Sequence, residues 1–188
     1  MFDSHAHMMD TAFDNDRELV MQKIFESNIS GWMEVGTSVE ESKKAIALAE
    51  TDHRIIASVG VHPHALKNLK DADWDEIQQL AGHKKCKAIG EVGLDFSRGN
   101  DIEFQEAMLK KFISLAQQKN LPLIFHVRNG NSIDAHAELL RILSSYNNQN
   151  LRGVIHTFSG TLIQAQEYIK LGMMISFSGV LTFKNSGE

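Results

Sequence analysis

Cysteine is all but missing from the 188 residues: Cys86 stands alone and cannot close an internal disulfide, so nothing asks for an oxidising compartment. Only two prolines interrupt the chain, which with 43% apolar and 23% charged residues is the profile of a folded, soluble domain and leaves little room for disorder. No apolar run reaches the roughly 18 residues that a membrane span needs, and a first strand expected from Phe2 leaves no space for a signal peptide. Positive charge is short as well. With 19 Lys and Arg against 24 Asp and Glu the formal net charge is -5, which excludes gripping nucleic acid through bulk basicity. A phosphate-bearing partner would need local cations or bound metal. The expectation is a cytoplasmic protein that meets no membrane.

What is present is an alternation. Short apolar, β-branched or small-residue runs (FDSHAH, GWMEVG, IIASVGV, CKAIGEVGL, PLIFHV, RGVIHTF and GMMISFSG) are separated by amphipathic stretches, the pattern of βα units around a parallel sheet. Helices are expected near 15–28, 38–50, 73–81, 101–119, 131–145 and 161–170. The clearest places Phe104, Met108, Phe112 and Leu115 on one face, with Asn100 or Asp101 as N-cap and Leu121-Pro122 closing it. The expected strand ends His7, Val35, Val61, Glu91, His126, His156 and Ser176 are spaced by 28, 26, 30, 35, 30 and 20 residues, one βα unit each. Seven strands exceed the five or so of a flavodoxin-like sheet and favour a TIM-type (β/α)8 barrel, α/β in class, whose eighth strand is missing. Residues 1–188 then form a single domain, expected to be truncated at its C-terminus. NNQN at 147–150 is expected to be an ordinary loop.

Six of the nine histidines (His5, His7, His62, His64, His126 and His156) fall at the C-terminal ends of four expected strands, and Glu91 ends a fifth. In a parallel barrel those ends converge on one rim, where barrel enzymes build their active sites. Residues i and i+2 of a strand share a face, so His5 and His7 can direct two imidazoles at one cation, at about 2.0–2.1 Å. Four histidines and a glutamate exceed one structural tetrahedral site and point to an open or two-metal catalytic site bridged by Glu91. Imidazole and carboxylate ligands suit zinc, manganese or iron, and sequence does not choose among them. Each residue also has a plainer explanation. His5 and His7 can be polar residues at a strand end, His126 and His156 core histidines bonded to carbonyls, and Glu91 a buried partner of an arginine. His62 and His64 flank Pro63, which can fix a turn out of the strand. His53, His83 and His136 sit on polar segments and are expected to face solvent, while Cys86, Trp32 and Met173-Met174 are expected in the core.

FDSHAH, GVHPH, GEVGLD, PLIFHVR, HTFSG and FSGVLTFKN, in this order from Phe2 to Asn185, resemble the TatD family of metal-dependent deoxyribonucleases, which are amidohydrolase-like TIM-barrel hydrolases. The resemblance implies hydrolysis of DNA phosphodiesters with two divalent ions (zinc, manganese, magnesium or iron) held by His5, His7, Glu91, His126 and His156. Among these, Glu91, His126 and His156 are the residues expected to serve catalysis. It also implies substrate contacts from His62 and His64, and from Arg128 as the arginine of the HxR motif. Lys184 and Arg98, in expected rim loops, can add phosphate contacts. The sequence departs from the family pattern in three places. The Glu-Thr-Asp motif of the eighth strand lies outside it, the aromatic pair after GLD is Phe96-Ser97, and HVRNGNSIDAH is longer and more polar than usual. Two alternatives stay open: hydrolysis of a small amide, lactone or phosphoester by the same ligand set, and a non-catalytic truncated barrel whose unpaired edges associate. The absence of a lysine at strand five, where His126 stands, favours the TatD pattern over its carboxylated-lysine relatives. No protein partner is expected.

Overall fold

The computed structural model describes residues 1–99, 101–146 and 150–184. The chain divides into two compact units, Met1–Glu91 and Val92–Glu188, with the division falling inside one strand.

The first unit alternates strand and helix from its second residue: β1 (Phe2–Ala6), α1 (Arg17–Glu26), β2 (Gly31–Val35), α2 (Val39–Thr51), β3 (Ile55–Val59), α3 (Asp71–Leu80) and the first half of β4 (Cys86–Asp95). The strands lie in the order β1-β2-β3-β4 and are parallel, with Trp32 opposite Ile55 and Val59 opposite Ile89. Trp32, Ile55, Ala57, Val59, Ile77 and Ile89 are buried almost completely, each large side chain contributing about 1.5–3 kcal/mol by leaving water. Helix α2 starts because the Ser38 hydroxyl accepts the Glu41 amide at 3.2 Å, with Glu40 and Glu41 at its positive end. Pro63 opens a 3-10 turn, Pro63–Asn68, directly after the GVH run, as a proline leaving a strand should. One irregularity matters for the site: between Asp3 and Ala6 the register of β1 against β2 slips, three residues on β1 spanning two on β2. Such a bulge bends the strand and re-aims its side chains, here at Ser4 and His5.

The second unit repeats the scheme with the end of β4, α4 (Ile102–Lys119), β5 (Leu123–Arg128), α5 (Ala135–Ser144), β6 (Gly153–His156), α6 (Leu162–Lys170) and β7 (Met173–Ile175) in the order β4-β5-β6-β7. Helix α4 buries Met108, Leu109, Phe112, Ile113, Leu115 and Ala116, but Phe104 at its first turn is 37% exposed, so the apolar stripe begins one turn later than the periodicity suggests. The helix ends on Asn120 in the left-handed conformation (φ 53°), the αL cap that asparagine tolerates, and Leu121-Pro122 follows. Asp101 stands at its N-cap without a side-chain bond, and Asn100 and residues 147–149 of the NNQN segment lie outside the described residues.

Three sequence expectations change. His136 is fully buried, because it sits on the inner face of α5 with Leu139 and Leu143. Met174 is 72% exposed while Met173 is buried, since successive residues of a strand point to opposite faces and β7 ends the described sheet. Glu91 lies within β4, which runs on to Asp95, and does not end it.

Candidate metal centre

The first unit supplies three of the five expected ligands: His5 on β1, His7 just after it and Glu91 on β4. The Nε2 atoms of His5 and His7 lie 3.1 Å apart, and His5 Nε2 is 3.5 Å from Glu91 Oε2. Glu91 is 5% exposed and both rings are half-buried, so His5 touches His7 and Glu91 in turn at the edge of the core. A carbonyl can only accept, so the 3.2 Å approach of His7 Nδ1 to the Val35 oxygen fixes the proton on Nδ1 and leaves the Nε2 lone pair directed at His5. Two nitrogens 3.1 Å apart, each about 2.05 Å from a shared cation, subtend an angle of about 100°, within reach of tetrahedral or octahedral coordination. The two imidazoles thus suit a divalent transition ion, and Glu91 beside His5 is a carboxylate of the kind such ions accept.

Beside these groups lies a residue that motif reading passed over. Glu34 is 2% exposed, and its carboxylate accepts from the Met8 amide (3.0 Å), the Met9 amide (2.9 Å) and the Trp32 indole (3.2 Å). Burial raises its pKa, with those three N–H donors and the nearby His7 working against the rise. His62 and His64, also in this unit, stack edge-to-face at 4.8 Å, and His62 Nδ1 accepts the His64 amide at 3.2 Å.

The second unit places His126 on β5, with its Nε2 2.9 Å from Oδ2 of the fully buried Asp95 at the end of β4. Asp95 also accepts the Ser97 amide and hydroxyl at 2.9 and 2.6 Å. Burial works to raise its pKa, but the His126 ring and the Ser97 donors prevail and hold the carboxyl far below the usual range. Such a carboxylate fixes an imidazole's tautomer and direction, or with it shares a cation. Gly93 makes the approach possible: at φ +151° it lets β4 pass β5 where a Cβ would sit 1.9 Å from the His126 carbonyl oxygen. His156 ends β6, its Nε2 2.8 Å from the Thr157 hydroxyl, and Thr157 adopts φ 48°, a conformation a β-branched residue rarely takes. Arg128 closes β5 with an exposed side chain, and Lys184 is likewise exposed.

Sequence reasoning missed Glu34 and Asp95 as participants. The available signal was an acid embedded in an otherwise buried apolar strand, since such residues are seldom placed there without partners.

Parallel βα units in series, with imidazoles and carboxylates on and just after their strands, are those of an α/β metal-dependent hydrolase of the TIM-barrel type. The family described as TatD related DNase matches residues 2–188, and the chain belongs to it. It is 31% identical over 187 residues to the uncharacterized metal-dependent hydrolase YabD of Bacillus subtilis, covering 99% of this chain and 71% of that protein. It is 33% identical to the 3'-5' ssDNA/RNA exonuclease TatD of Dickeya dadantii, covering 95% and 67% respectively. The crystal structure of YjjV, a TatD homologue from Escherichia coli, superposes with a TM-score of 0.85 at 30% identity over 97% of this chain and 70% of that one. The chain therefore spans about two-thirds to seven-tenths of the length of these relatives. Among the described residues no helix is long and apolar enough to cross a membrane.

Proposed function

We propose that this hydrolase cleaves phosphodiester bonds of DNA with two divalent ions held by His5, His7 and Glu91 from the first unit and His126 and His156 from the second. Asp95 joins this set as the partner of His126. The observation that carries the reading is the pair of contacts His5 makes, with His7 and with Glu91, the Nδ1–H of His7 being committed to Val35 and its Nε2 facing His5. Support for nucleic acid comes from the family and from the TatD relative, named for ssDNA and RNA.

Divalent ions bound there would supply Lewis acidity to the phosphoryl oxygens and acidify a water. The chain's own groups divide the remaining work. Glu91 and the imidazoles would hold those ions, the Glu91 carboxylate alone offsetting part of their charge. Asp95, at His126 Nε2, would fix the direction in which that ring is presented to an ion. Arg128, His62 and His64 are assigned to the substrate, the arginine guanidinium offering a fork that matches a phosphate. Two bound divalent ions would offset much of the overall -5 that otherwise repels a polyanion. We further infer that residues 1–188 act as one hydrolase domain and that the protein works in the cytoplasm, its single cysteine being buried and unable to close an internal disulfide.

The test is a substrate panel on one preparation loaded with manganese or zinc: single-stranded DNA, duplex DNA, RNA, a nitrophenyl phosphodiester, and small amides and lactones. Cleavage of DNA that His126→Ala loses by about a hundredfold or more supports the reading. Equal cleavage by both proteins, or turnover confined to amides or lactones, rejects it.

A further inference from the structure

The β1–α1 connection follows the histidine limb directly, and its backbone is held from two sides. Met8 and Met9 give their amides to Glu34, while the Met8 and Asp10 carbonyls accept from Arg17 at 2.7 and 3.1 Å. Neither amide can enter the ladder of β1, which has ended, nor α1, which has not begun. An acid buried between sheet and helix costs desolvation that an apolar residue there would avoid, so its three N–H partners explain its presence better than packing does. The neighbouring residue completes the arrangement. Glu34 takes the amides of Met8 and Met9, and Val35, next in the chain, takes the Nδ1–H of His7. A single dipeptide of β2 thereby fixes both the backbone that follows His7 and the ring itself. A cavity of about 270 Å3 lined by His7, Met9, Glu34, Val35 and Thr37 adjoins the ring, giving it room to swing if the turn were released.

We propose that Glu34 is a positioning residue for the metal-binding histidine limb: by anchoring the Met8–Met9 turn it holds His7 on the Val35 carbonyl, with Nε2 facing His5. The proposal rests on the reading of His5, His7 and Glu91 as a cation site, and its test separates the two. Histidine nitrogen-proton NMR of the metal-free protein reports the His7 tautomer. The wild type is expected to show a single Nδ1–H form, and Glu34→Ala a mixture of tautomers with averaged shifts. Calorimetric titration with manganese or cobalt is expected to show Glu34→Ala weaker by about 10–100-fold, the usual cost of losing a group that orients a ligand. Cobalt absorption bands should change shape as well as midpoint. Trp32→Phe removes one donor but leaves both amide bonds, and is expected to keep the His7 signal.

A folded Glu34→Ala protein with the wild-type His7 signal and wild-type metal affinity overturns the proposal. Should that variant not fold, Glu34→Gln decides, because its amide keeps only one acceptor oxygen: loss of the Met8 or Met9 amide bond with an unchanged His7 tautomer overturns it, and loss of both together supports it. If the wild type binds no divalent ion, the metal reading fails, and the tautomer comparison alone still decides the role of Glu34.

Discussion

His136 gives the sharpest quantitative prediction, because a fully buried imidazole must stay neutral where an unfolded one charges. Its Nδ1 lies 3.2 Å from the Tyr168 hydroxyl, its Nε2 3.5 Å from the Ser159 hydroxyl, and its ring packs edge-on against Phe158 at 5.1 Å. Burial pushes its pKa down from 6.5 to about 4, with Asp134 opposing. Above pH 6.5 neither folded nor unfolded histidine is charged and the residue adds no pH dependence. Between 6.5 and about 4 the unfolded chain binds the proton and the folded one does not, so stability falls as pH falls; below about 4 the loss is complete. At 1.36 kcal/mol per pH unit, a window of about 2.5 units is worth about 3 kcal/mol, a large share of the roughly 5–15 kcal/mol that holds a domain folded. Urea unfolding followed by circular dichroism at steps from pH 7.5 to 4.5, on the wild type and His136→Phe, isolates this contribution, since all other groups titrate in both. Phenylalanine suits the aromatic surroundings, and the Tyr168 hydroxyl can still donate to the residue-136 carbonyl, 3.2 Å away. The wild type should lose about 2–3 kcal/mol more than the variant across that range. Parallel curves would refute the argument.

Gly93→Ala should lower stability by about 3 kcal/mol or more, since the added Cβ meets the His126 carbonyl and the backbone sits at φ +151°; a melting temperature close to wild type contradicts the close approach of β4 and β5. Arg141 bridges Glu138 on its own helix and Glu106 on α4, but it is 57% exposed, so Arg141→Ala should cost less than about 1 kcal/mol and the difference should vanish near 1 M salt, where the screening length is about 3 Å. A larger, salt-insensitive loss in chemical unfolding would show that the pair is not simply a surface one. Stripping the protein with a chelator should abolish hydrolysis and re-adding manganese or zinc should restore it, whereas full activity in metal-free protein, checked by elemental analysis, removes the basis of the proposed chemistry.

Element order was legible in the sequence because a buried parallel sheet imposes a strong local signature: GWMEVG and IIASVGV can scarcely be anything but strands, and the strand-to-strand spacing counts the units. The candidate ligands His5, His7, Glu91, His126 and His156 were legible for a related reason, since polar, coordinating side chains interrupt apolar strands at recurring intervals. What local pattern could not settle was the fate of single side chains. His136 lies in a polar stretch and yet is buried, because the face of α5 that turns inward is set by what packs against it. Met173 and Met174 are adjacent and alike, and only the pleat separates the buried one from the exposed one. Glu34 and Asp95 carry no local mark of their partners, and their roles depend on amides and a ring up to 31 residues away in sequence. The sequence by itself determined periodicity and the kinds of chemical group, which are properties of neighbours along the chain. Only the tertiary structure decided which donor meets which acceptor, because that is a matter of distance through space, and burial makes each such pairing either favourable or costly.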